Sequence, residues 1–133
     1  MIQKQELRHN NFVKDRGGKT LQIDYFELDK VCQKVELQYG QIGHPLTEYF
    51  DFLEPIKITD EILSKTKPNL LEWFCAGSYM LVKDEEFGHC FKVRNASHTH
   101  EIEFGYFRFI HQLQNLYFCL TGKELEFVAQ HSI

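Results

Sequence analysis

The chain has 133 residues, 43% of them hydrophobic with 12 Phe, 6 Tyr and 1 Trp. This is enough to hide roughly two thirds of the unfolded surface, so disorder of the whole is excluded and one domain over residues 1–133 is the economical reading. Three prolines and apolar runs of only a few residues exclude a low-complexity chain and a membrane span of ~20 apolar residues. Fifteen Lys and Arg against nineteen Asp and Glu, a net charge of -4, give no general pull toward a phosphate backbone or an anionic membrane.

In chain order, Phe12-Val13-Lys14, the turn Asp15-Arg16-Gly17-Gly18-Lys19 and the alternating Leu21, Ile23 and Tyr25 predict a hairpin, since a Gly pair supplies positive φ for a tight turn. Val31, Gln33, Val35, Leu37 and Tyr39 alternate with Cys32, Lys34, Glu36 and Gln38, the period of a strand with one face on the core. Gly40, Gly43 and Pro45 mark a loop. Thr59 before Asp60 and Glu61, with Pro68 beyond, predicts a short capped helix at about 60 to 66. Tyr79 to Asp84, Phe87 to Arg94 and Glu101 to Phe109 then form an antiparallel meander. In its last strand a bulge at Gly105 brings Ile102, Phe104, Phe107 and Phe109 to one face. Ile110, Leu113, Leu116, Tyr117 and Leu120 recur at helical spacing before Gly122, predicting a helix over 110–121, and Lys123 to Val128 reads as a closing strand. The fold class is α+β: a β-rich half over 1–55, a hairpin or small barrel, followed over 56–133 by a short helix and the three-stranded meander with the C-terminal helix packed on it.

The first five residues lack the apolar stretch and small-residue cleavage site of a secretory signal, so a cytoplasmic location is expected. Cys32, Cys75, Cys90 and Cys119 contain no C-x-x-C pair and are read as free core thiols in a reducing compartment.

The run His111-Gln112-Leu113-Gln114-Asn115-Leu116-Tyr117-Phe118-Cys119-Leu120-Thr121-Gly122-Lys123-Glu124-Leu125 resembles the "HELQNLYFALTGEEL" ending of a family of small uncharacterised bacterial proteins often found in prophage-like regions. Glu54 to Leu63 resembles that family's "EPIPLTEEIL" segment, and Glu6 to Val13 is similar to its "ELRIGNWV" opening, with His9-Asn10 standing where the family has Ile-Gly. These segments cover about a quarter of the chain in the family's order. The resemblance implies an architecture and a prophage association, and supplies no catalytic residues.

No catalytic or cofactor signature stands out. His98 and His100 lie on one side of an extended segment near His89 and Cys90, but His-x-His alone is a weak metal signal, so neither a metal nor a cofactor is expected. His111 beside Glu103 lacks a nucleophile in a recognisable turn. Glu101 and Glu103, with Asp84, Glu85 and Glu86, read as a solvated edge, and Gly17-Gly18 lacks the spacing of a phosphate loop.

Two functions remain. The first is a non-catalytic interaction or accessory module that self-associates or docks a protein partner. It would use the helix face of His111, Asn115 and Phe118, which cluster opposite the apolar stripe at ~100° per residue. The second is a nucleic-acid-associated accessory protein. Its contacts would be Arg8, Lys14, Arg16 and Lys19 on phosphates, with Phe12 stacked on a base; the negative total charge disfavours it.

Overall fold

A computed structural model describes residues 2, 4–27, 29–34, 47–67, 69–70, 79–94, 101–103 and 105–128. In chain order its elements are β1 (Phe12–Lys14), β2 (Thr20–Glu27), β3 (Lys30–Gln33), β4 (Thr47–Tyr49), α1 (Asp60–Ser64), β5 (Thr66–Lys67), β6 (Tyr79–Asp84), β7 (Gly88–Arg94), β8 (Glu101–Glu103), α2 (Ile110–Thr121) and β9 (Glu126–Phe127), with short 3-10 turns at Lys4–Glu6 and Phe50–Phe52. The architecture is α+β. Two compact units form, Met1–Lys57 with Phe109–Glu124, and Ile58–Arg108 with Leu125–Ile133.

The first unit is a curled four-stranded antiparallel half-barrel in the order β1-β2-β3-β4. Its hairpin pairs Phe12 with Gln22 and Lys14 with Thr20. Asp15 fastens the turn, its carboxylate accepting from Lys19 N at 2.8 Å and its carbonyl from Gly18 N at 3.0 Å, with Gly18 at φ 83°. Ile2, Leu7, Val13, Leu21, Ile23, Val31 and Leu53 form the core of this unit, with Phe50 against them. Cys32, read as a core thiol, is fully buried. It stands opposite Tyr25 in the β2–β3 pairing. Residues 35–39 of that predicted strand and the 40–45 loop lie outside the described residues.

Helix α2 spans the residues its periodicity predicts and stops at Gly122, which takes the left-handed conformation at φ 72°. Its packing differs from expectation in two ways. It belongs to the first unit, against β1, whereas the meander predicted as its seat lies in the second. The buried positions are Ile110, His111, Leu113, Gln114 and Tyr117, a face turned roughly 60° from the predicted stripe at ~100° per residue, so Leu116 and Leu120 are only half-buried. Gln114 finds partners for both ends of its amide inside and His111 for its Nε2, and each hydrogen bond made lowers the cost of burying a polar group.

In the second unit the Thr59 hydroxyl accepts from Ile62 N at 3.2 Å and caps α1. The helix ends at Ser64 because Thr66 turns into β5: its hydroxyl donates to Leu63 O at 2.7 Å and accepts from Leu70 N at 2.9 Å. β5 pairs with β9, the two-residue remnant of the strand predicted over 123–128. The meander is present as β6-β7-β8, but its last strand is short. β8 pairs Glu103 with Lys92, and the chain returns to pair Phe107 with His89. Between these two pairs, three residues on one side therefore oppose two on the other, a one-residue bulge in the segment that contains Gly105. Phe107 is buried against Phe91; the side chains of Ile102 and Phe104 lie outside the described residues. At the β6–β7 turn, Gly88 has φ 100°, and a Cβ there would sit 2.6 Å from the Phe107 carbonyl oxygen, so the turn admits only glycine.

Candidate functional site

Residues 6–12, near the start of the chain, and helix α2, near its end, meet in the first unit. Residues 8–11 form a tight turn read by side chains of α2. Gln114 is buried, its carbonyl accepting from Phe12 N at 2.8 Å and its amide donating to Asn10 O at 2.9 Å. Asn115 Oδ1 accepts from Asn11 Nδ2 at 2.7 Å and Arg8 Nε at 3.1 Å, while its Nδ2 donates to Glu6 O at 2.7 Å. Asn11 Oδ1 closes the turn by accepting from Arg8 N at 2.7 Å. Among the described residues, Asn10 is the non-glycine residue with positive φ, 75°. It stands where the resembled pattern has Gly, and Asn is the side chain that tolerates this conformation best after glycine.

Charged groups finish the arrangement. Arg8 forms a two-pronged pair with both carboxylate oxygens of Glu124, and its guanidinium lies 4.5 Å over the Phe118 ring. That hydrogen bond holds the Glu124 carboxyl below its ordinary pKa. His111 is 1% exposed, stacked on Phe109, and its Nε2–H donates to Glu6 Oε2 at 3.3 Å. Its Nδ1 is buried with no hydrogen-bond partner among the described residues. Burial lowers the ring's pKa, outweighing the upward pull of Glu6. The carboxylate beside His111 is thus Glu6, not the Glu103 considered from sequence.

The helix face offered to a partner is therefore occupied by the chain itself. His111 is interior, Asn115 holds the 6–11 segment, and Phe118 keeps 39% exposure beneath Arg8. The residues proposed for nucleic acid do not form a set. Phe12, expected to stack on a base, is 4% exposed, a correction that follows from its place in β1. Arg8 is held by Glu124, Lys14 is half-buried, and Arg16 and Lys19 stand exposed on the hairpin turn.

A different cluster was not visible in the sequence. Tyr49 and Phe52, 45% and 37% exposed, meet edge to face at 6.1 Å. Lys30 Nζ lies 5.0 Å over the Tyr49 ring, and the Arg16 guanidinium lies 4.5 Å over Phe52. Phe26, also exposed, stacks on Phe50 at 5.9 Å. Lys30 pairs with Glu27 and with Tyr49, which puts these three side chains on one face of the sheet, whereas Phe26 and Glu48 stand opposite Val31 on the other. Three carboxylates lie close to the ring pair in the chain or through strand pairing and are exposed: Glu27, Asp29, whose carbonyl accepts from Phe50 N at 3.1 Å, and Asp51. The only sequence signal is the density of aromatic and acidic residues over 48–52.

In the second unit, His89 is buried with Nε2 unpartnered among the described residues, and burial lowers its pKa. His98 and His100, weighed with it and Cys90 as metal ligands, lie outside the described residues, among which no group of three His, Cys, Asp or Glu converges. Cys32 and Cys90 are buried free thiols, but Cys119, expected in the core, is exposed on α2; Cys75 lies outside the described residues. No described helix is long and apolar enough to cross a membrane. Against known proteins, neither a family model, nor a curated protein, nor a solved structure matches the chain.

Proposed function

We propose that this protein is a non-catalytic interaction or accessory module of the cytoplasm, of the prophage-associated kind its sequence resembles, and that its docking surface is the aromatic end of the half-barrel. One observation carries the reading: Tyr49 and Phe52 meet edge to face and each holds a cation over its ring, yet both stay open to solvent, and rigid exposed aromatics are enriched as anchors of protein interfaces. The polar side chains that converge elsewhere in this unit, from Arg8 to Gln114, are engaged in holding its N-terminal segment on α2, which supports a binding rather than a catalytic role. Nucleic-acid association is the weaker reading, since Phe12 is interior and Arg8 is ion-paired.

A photo-crosslinking residue at position 52 of the full chain, expressed in a bacterial host, tests the module reading. Cross-links to a protein, reduced by Tyr49→Ala, are expected. Cross-links only to nucleic acid, or none, would refute it.

A further inference from the structure

Resting on that module reading, we propose that the aromatic end of the half-barrel docks a basic segment of a protein partner, rich in Arg and Lys. The rings already show which chemistry they accept. Both rings of the edge-to-face pair carry a cation from their own chain, Arg16 on Phe52 and Lys30 on Tyr49, and an ammonium or guanidinium over a ring face is favoured by the ring's quadrupole. The charges around the rings have the sign such an occupant needs. Glu27, Asp29 and Asp51 outnumber the two cations, and among the described residues none of these three carboxylates is in an ion pair.

This arrangement also decides between partners. A nucleic acid would bring phosphates to three carboxylates and gain only Arg16 and Lys30 in return, a repulsive balance. A basic peptide would place its cations between the carboxylates and its aliphatic stems along the rings. Arg16 and Lys30 then act as internal competitors for the ring faces, so removing one opens a face and deepens the negative field.

The test uses full-length protein and three fluorescent probes: a twelve-residue peptide of alternating Arg, Gly and Lys, its Glu/Asp counterpart, and a twelve-residue oligothymidine. Binding is followed by anisotropy at two salt concentrations. The basic peptide is expected to bind, Tyr49→Ala with Phe52→Ala to weaken it about tenfold with the circular dichroism spectrum unchanged, and Lys30→Met to tighten it about threefold. Glu27→Gln with Asp51→Asn should weaken it at low salt and less at high salt, a second route that leaves the rings in place. Preference for the acidic peptide or oligothymidine, or basic-peptide binding indifferent to both pairs of changes, would overturn the proposal. Mapping the cross-link at position 52 separates the two readings: an acidic or apolar partner segment overturns this inference and leaves the module reading standing, whereas absence of any protein cross-link removes both.

Discussion

Replacing Gln114 by Leu tests whether the polar contact between α2 and the 8–12 segment holds the first unit together. Leu has nearly the volume of Gln, so the change removes two hydrogen bonds without opening a cavity. The Phe12 amide, 2.8 Å from Gln114 Oε1, would lose this buried acceptor, costing about 1–3 kcal/mol. The Asn10 carbonyl would keep the Gln22 amide at 3.1 Å, so losing the second bond costs at most about 1 kcal/mol. Greater apolar burial of Leu offsets part of this, leaving a net loss of about 2 kcal/mol. Gln114→Ala adds a cavity and should cost about 3–4 kcal/mol. Urea unfolding followed by circular dichroism measures the losses, and amide hydrogen exchange at Phe12 locates them. A loss below about 0.5 kcal/mol for Leu, or unchanged protection at Phe12, would show that Gln114 behaves as a surface side chain and that this contact is not structural.

Three further outcomes are expected. The lowered pKa of His111 means the unfolded chain takes up a proton first, so its effect on stability is nil above about pH 6.5 and grows as pH falls below that value. His111→Gln should flatten this part of the urea-midpoint profile, leaving His89, which has the same sign, and, at lower pH, the loss of the Glu124 contribution as its depressed folded pKa is crossed. An unchanged profile would contradict the burial of His111. Gly88→Ala forces a Cβ to within 2.6 Å of a backbone oxygen at positive φ and should destabilise the second unit by about 2–3 kcal/mol, while Gly105→Ala, with nothing within 4 Å, should cost less than about 1 kcal/mol; equal thermal shifts would refute the distinction. Native-state alkylation mapped by mass spectrometry should modify Cys119 well before Cys32 and Cys90, since burial excludes the reagent and pushes the Cys90 thiol pKa up.

Local chemistry made much of the fold readable from residue order alone. The β1–β2 hairpin follows from Gly17-Gly18 after Asp15, the start of α1 from the Thr59 hydroxyl, and the extent of α2 from its 3.6-residue period and Gly122, because each depends on bonds or steric limits within a few residues. The bulge before Phe107 was legible for the same reason: a change in apolar parity within one strand needs one extra residue. What only tertiary structure decided is where each face goes. Periodicity separates apolar from polar positions but carries no information about polar partners distant in sequence, so it could not foresee that Asn10 and the Phe12 amide would draw Gln114 inside, or that Glu6 and Arg8 would occupy the side of α2 offered to a partner. The aromatic surface has the same origin. Arg16, Lys30, Tyr49 and Phe52 lie in separate parts of the chain, and only long-range strand pairing, which fixes register through the whole half-barrel, brings cations and rings face to face.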